Sequence, residues 1–270
     1  QAEDGIRDLV RSRGLGDVYK RQALLGGCAT GFPLGGSPAG VVATDGALTT
    51  SHWPGGNPRW ALWRPDPAQV PAPRLVVALH GKGGSVGDTA YLGLPDHVAQ
   101  LGIAVAAVDC GGTYLHARRD GSDLGAMVID DLLPVLRAQG VSPKPVGLLG
   151  WSMGGYGALW LAIRHGAAVV GAVGGMSSAL WTSPGASAPG AFDNREDFLA
   201  HDVFARASAL AGMPVRLDCG TSDPFIAANR AFATLVPQAV ITFDAGGHDD
   251  AYWRPHGIRQ LEWFAQTLPA

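Results

Sequence analysis

The chain has 270 residues, 47 % hydrophobic and 16 % charged, with 39 Gly and 19 Pro. That much apolar residue at so low a charge excludes a disordered chain, and the lack of a Gly-x-y period excludes collagen. A formal charge of −3 leaves no footprint for nucleic acid or an anionic membrane, three Cys cannot build a disulfide framework, and no run of about 18 apolar residues reads as a spanning helix.

Residues 1–22 differ from the rest of the chain. They carry five basic residues (Arg7, Arg11, Arg13, Lys20, Arg21) and four acids, whereas only two lysines, Lys82 and Lys144, occur later. Gln1–Asp8 back-translates to a stretch resembling a sequencing flow-cell adapter. Ser12–Gln22, in the same frame, back-translates to the transposase adapter that comes after it, with Leu9, Val10 and Arg11 as the index between them. Residues 1–22 are therefore expected to be translated adapter and are set aside from the fold. The junction Ala23-Leu24-Leu25-Gly26-Gly27-Cys28 is similar to the end of a bacterial lipoprotein signal. It makes Cys28 a candidate lipidation site and lipid anchor, and implies a secreted or cell-envelope protein. The alternative is an ordinary Cys in a Gly-rich leader. Residues 23–46 then read as a truncated signal and a flexible tether, and 47–270 as the folded domain.

From Ala47 onward, strand-like and helix-like stretches alternate. Trp60–Trp63 is strand-like, and Leu75–Leu79 is a continuous apolar run, as in a strand covered on both faces. A helix is expected around Leu94–Gln100 and a buried strand at Ile103–Val108. Asp123–Gln139 has helical spacing, with Leu124, Val128, Leu132, Val135 and Leu136 on one stripe. Then come a strand at Val146–Leu149, a helix at Gly154–His165, and strands at Val169–Val173 and Val215–Leu217. Pro224–Leu235 is helix-like, Val240–Phe243 a strand, and His256–Thr267 a closing helix. This rhythm predicts an α/β fold with a mostly parallel sheet. The irregular stretch 176–212 reads as a lid insertion.

Gly150-Trp151-Ser152-Met153-Gly154 sits between a predicted strand and a predicted helix. That is the context of a nucleophile elbow: the turn is too tight for side chains two positions either side of Ser152. A serine nucleophile needs a base and a carboxylate to orient it. Four histidines follow. His248, in Gly-Gly-His-Asp-Asp after the last strand, falls at the sheet edge where sites form. His165 ends a helix, His201 lies in the insertion and His256 starts the last helix. For the acid, Asp223 follows the strand at Val215–Leu217. Asp218 lies nearer the strand end, Asp193 and Glu196 lie in the insertion, and Asp249 and Asp250 adjoin the His. Asp223-Pro224 also reads as a helix cap. The oxyanion donors are expected to be the N–H of Met153 and that of Lys82, in His80-Gly81-Lys82-Gly83-Gly84, with Gly83 as substitute. The Lys82 side chain could also meet an anionic substrate. Trp151 and Trp181 are candidate pocket walls. No His/Cys/Asp cluster has metal-ligand spacing and no phosphate loop occurs, so no metal or cofactor is expected.

Leu79–Gly84 (LHGKGG), Gly150–Leu159 (GWSMGGYGAL), Gly220–Phe225 (GTSDPF) and Gly246–Trp253 (GGHDDAYW) together resemble the α/β-hydrolase superfamily. Within it the chain is similar to the "putative esterase" family of esterase D (S-formylglutathione hydrolase), feruloyl esterases and antigen 85 mycolyltransferases. The resemblance covers about Trp60 to Leu268. It implies a serine esterase acting on a small-molecule ester through an acyl-enzyme. Acyl transfer on the same residues is the alternative, and a non-catalytic binding module a further one. The acid departs from the mycolyltransferases, which carry Glu there. In the family's strand order, 1-2-4-3-5-6-7-8, Cys110 and Cys219 end strands four steps, about 19 Å, apart. A disulfide spans at most about 7 Å between Cα atoms, so both are expected to be free.

Overall fold

A computed structural model describes residues 37–269. The expected adapter, Cys28 and most of the expected tether lie outside the described residues. One part of the tether does not. Val41–Ala47 is a strand, β1, paired antiparallel with β2 (Arg59–Pro65) from Val41↔Pro65 to Ala47↔Arg59. Its apolar start, Val41-Val42-Ala43, is short and runs into Thr44, Asp45 and Gly46, which hid it: as an edge strand it buries little, and its neighbour supplies the order.

The remaining strands are β3 (Arg74–Leu79), β4 (Ile103–Val108), β5 (Val146–Trp151), β6 (Val170–Met176), β7 (Val215–Asp218) and β8 (Val240–Thr242). They form one sheet in the order β1-β2-β4-β3-β5-β6-β7-β8, parallel from β4 to β8. This is the expected α/β-hydrolase arrangement. Strand period splits the core between the two faces. Leu75, Val77 and Leu79 of β3 and Leu148 of β5 face one side. Val76 and Ala78, with Leu149 and Trp151, face the other.

The first helix is α1 (Val86–Tyr91), capped by Ser85, whose side chain accepts from the Gly87 N–H; α2 (Val98–Leu101) follows. The expected helix near 123–139 is α3, residues 124–138, and its middle, Met127–Leu132, is π-helical. Pro134 explains the wider turn, because it has no N–H for the carbonyl four residues back and its ring crowds that group. Next come α4 (Met153–His165), α5 (Arg195–Ala200), α6 (Ile226–Ala233) and α7 (Asp250–Thr267). α7 begins six residues before the expected His256. Asp249 caps it, accepting the Tyr252 N–H at 3.1 Å, and Pro255 is carried inside. Cys110 and Cys219, just past β4 and β7, are buried free thiols whose burial raises their pKa. No helix among the described residues is long and apolar enough to cross a membrane.

Candidate active site

Parallel strands deliver their C-terminal ends to one edge of the sheet, and the loops leaving β3, β5, β7 and β8 meet there. At the end of β5, Ser152 takes φ +54°, ψ −117°, a conformation unusual for a residue with a side chain. The glycines around it are forced by contact. A Cβ on Gly150 would lie 2.1 Å from the Gly154 carbonyl oxygen, and one on Gly154 would lie 1.9 Å from that of Leu79. The Gly154→Ala variant is accordingly expected to lose about 1–3 kcal/mol of stability. Its ester turnover should fall too, because the strain sits between the elbow and the loop after β3. Urea denaturation and turnover of a nitrophenyl ester check the two effects.

Asp223 and His248 are brought together by two stitched loops. Thr221 N–H donates to the Asp244 carbonyl at 2.7 Å and Ser222 N–H to that of Gly246 at 2.9 Å. His248 Nδ1 then lies 2.9 Å from Asp223 Oδ2, and Nε2 lies 2.9 Å from Ser152 Oγ. Asp223 Oδ1 accepts the Phe225 N–H at 2.8 Å, so the carboxylate both orders its own turn and faces the imidazole. It does not cap α6, which starts from Phe225. Ser152 is 0 % and Asp223 2 % exposed. In so dry a setting, the Nδ1–H bond to Asp223 leaves the Nε2 lone pair facing the serine hydroxyl. Such a chain of contacts can draw the hydroxyl proton onto His248.

The other carboxylates and histidines are held elsewhere. Buried Asp218 accepts from Arg216 Nε and Gln260 Nε2, both at 3.0 Å. His256 lies 3.3 Å from Asp244, and burial lowers its pKa. His165 ends α4, as expected.

Met153 is the first residue of α4, where backbone N–H groups have no partner within the helix. Lys82 lies in the loop after β3, held by His80: its Nε2 accepts the Cys110 N–H at 2.7 Å and its Nδ1 faces the Gly81 carbonyl at 2.7 Å. The Lys82 ammonium donates to the Pro189 carbonyl at 3.1 Å. Burial and nearby Arg118 lower its pKa.

Of the two expected pocket tryptophans, Trp151 packs in the core on the α7 side of the sheet. Trp181 joins the aromatic group that reaches the site, with its ring 5.7 Å from Phe225, which stands 5.2 Å from His248. Trp253 closes the other side of His248 at 5.0 Å. The indole N–H groups of Trp181 and Trp253 are buried without a hydrogen-bond partner.

The stretch 176–212 packs down over this edge. Arg118 fastens it, donating to the carbonyls of Gly190 (3.1 Å) and Ala191 (3.0 Å) and pairing with Asp193 at 2.9 Å. Sequence reasoning missed Arg118 because nothing local marks a residue that acts across 72 positions. It also missed the convergence of His116, Asp197 and His201, whose ligand atoms lie within 4.8 Å of one another.

The family described as "Putative esterase" matches residues 118–270. No curated protein matches the chain significantly. Among solved structures, a ferulic acid esterase superposes with TM-score 0.71 at 16 % identity, covering 85 % of this chain and 99 % of that one. An S-formylglutathione hydrolase from Agrobacterium tumefaciens gives 0.73 at 16 % identity, covering 85 % and 96 %. MPT51 of Mycobacterium tuberculosis gives 0.69 at 21 % identity, covering 84 % and 99 %. At these identities the structural likeness speaks for the fold.

Proposed function

The chain belongs to the "putative esterase" family of α/β-hydrolase fold, and from that premise we propose that it cleaves carboxylic esters through Ser152, His248 and Asp223. The reading rests above all on one observation: His248 lies 2.9 Å from both the serine hydroxyl and the Asp223 carboxylate. Ser152 Oγ attacks the ester carbonyl as its proton passes to His248 Nε2. Asp223 holds the ring and stabilises the imidazolium. The tetrahedral oxyanion is met by the Met153 and Lys82 N–H groups, each worth about 3–4 kcal/mol in the transition state. His248 then returns the proton to the leaving alcohol, leaving an acyl group on Ser152. A water, deprotonated by the same imidazole, releases the acid.

The acyl-enzyme is the point to test. With a nitrophenyl ester at short times, the peptide bearing Ser152 should gain the mass of the acyl group, with a burst of nitrophenol. A burst-free reaction with no acylated Ser152 would refute the proposed intermediate. The enclosure of Ser152 favours one second reading, transfer of the acyl group to an alcohol, since a site shut off from solvent can choose its acceptor. Glycerol or a sugar added to the same reaction separates the two. Acylated alcohol as the main product indicates transfer, and free acid indicates hydrolysis.

A further inference from the structure

Behind the aromatic group beside His248 lies the cluster of His116, Asp197 and His201, which has no part in the proton path. His116 follows Tyr114 and Leu115, two successive residues with positive φ (59° and 54°). Asp197 and His201 stand one turn apart, Asp197 in α5 and His201 at its C-terminal end. His116 Nε2 lies 3.3 Å from one Asp197 carboxylate oxygen and His201 Nδ1 lies 2.8 Å from the other. The two imidazoles stack at 4.3 Å.

The protons do not fit a hydrogen-bonded cluster well. His116 Nδ1 faces the Tyr114 carbonyl at 3.1 Å, while Nε2 faces the carboxylate. Both ring nitrogens meet acceptors, and a neutral imidazole has only one N–H. With Nδ1–H given to Tyr114, the Nε2 lone pair points at a carboxylate oxygen. A cation between the two removes the conflict.

The surroundings suit one. An imidazole N–H bonded to a backbone carbonyl is the usual outer partner of a metal-bound histidine, and it leaves Nε2 as the ligand atom. One ligand atom from each of the three side chains lies within 4.8 Å of the others, against about 3.3 Å between ligands on tetrahedral zinc, so an ion would draw them closer by small side-chain rotations. Two imidazoles and a carboxylate select a transition metal over calcium or magnesium. Arg118 Nε approaches Asp197 to 4.0 Å, but its charge is matched by Asp193. His201 also borders a surface cleft with Trp160, Arg164 and His165, which gives an ion a way in.

We propose that His116 Nε2, the Asp197 carboxylate and His201 Nδ1 bind one divalent transition metal of the zinc class, with water as fourth ligand. The ion pins α5, in the stretch over the site, to the loop after β4. Binding moves the proton of a neutral His201 from Nδ1, which faces the Asp197 backbone carbonyl at 2.9 Å, to Nε2 and leaves the Nδ1 lone pair for the ion.

Chelator-treated full-length protein, given zinc and then desalted, should retain one equivalent per chain by elemental analysis and melt at higher temperature than the metal-free form. Asp197→Asn and His201→Gln should each lose the retained zinc and the thermal shift. Wild-type protein that retains none, or variants that retain as much as wild type, would overturn the site. Should the variants fail to fold, cobalt(II) added to wild-type protein decides. Intense visible bands of four-coordinate cobalt at one equivalent support the site, and their absence overturns it.

Discussion

Ser152→Ala is expected to reduce nitrophenyl ester hydrolysis by about a million-fold, roughly 8 kcal/mol of transition-state stabilisation, and to abolish labelling by a fluorophosphonate. The loss is this large because serine and histidine act as a unit: without Oγ there is no proton for His248 to take and no acyl-enzyme to form. The fold should persist. The constraint at the elbow comes from Gly150 and Gly154, and alanine at 152 adds no atom to it. A correctly folded Ser152→Ala protein that keeps more than about one per cent of the activity would place the nucleophile elsewhere.

Asp223→Asn should cost about four orders of magnitude in kcat while leaving the fold intact. The asparagine oxygen can keep the Phe225 N–H, which Asp223 Oδ1 accepts at 2.8 Å. Its NH2 then faces His248 Nδ1, where Asp223 Oδ2 stood at 2.9 Å. Two donors cannot share that contact, so the imidazole moves its proton to Nε2 and presents N–H, not a lone pair, to Ser152. Steady-state kinetics beside a circular dichroism spectrum test this. A loss under tenfold would exclude Asp223 as the orienting acid. Asp218 is a poor replacement, since Arg216 and Gln260 already occupy its Oδ2.

What could be read from the sequence was what is local or strongly periodic. The apolar runs of β3 and β4 identify buried parallel strands, and the elbow is legible because five adjacent residues contain the whole constraint. His248 and Asp223 could be singled out because parallel strands end on one side, which turns chain order into place. Besides Arg118, three features escaped. β1 offers only a three-residue apolar start, Val41-Val42-Ala43, before Thr44, Asp45 and Gly46, and is ordered by pairing with β2. The start of α7 was obscured by Pro255, which reads as a helix stop but is carried in the second turn of the helix. The approach of His116 to Asp197 spans 81 positions and depends on how the stretch 176–212 lies over the sheet edge, which no periodicity records.

The complete burial of Ser152 has a kinetic consequence. A reacting carbonyl must come within about 3–3.5 Å of the attacking oxygen. Where the stretch 176–212 has to shift to admit an ester, the apparent dissociation constant is the intrinsic value divided by the fraction of molecules open. Groups remote from the chemistry, such as Arg118 with its hold on Gly190 and Ala191, thereby scale the affinity for all substrates together. Discrimination among substrates is left to the walls around His248.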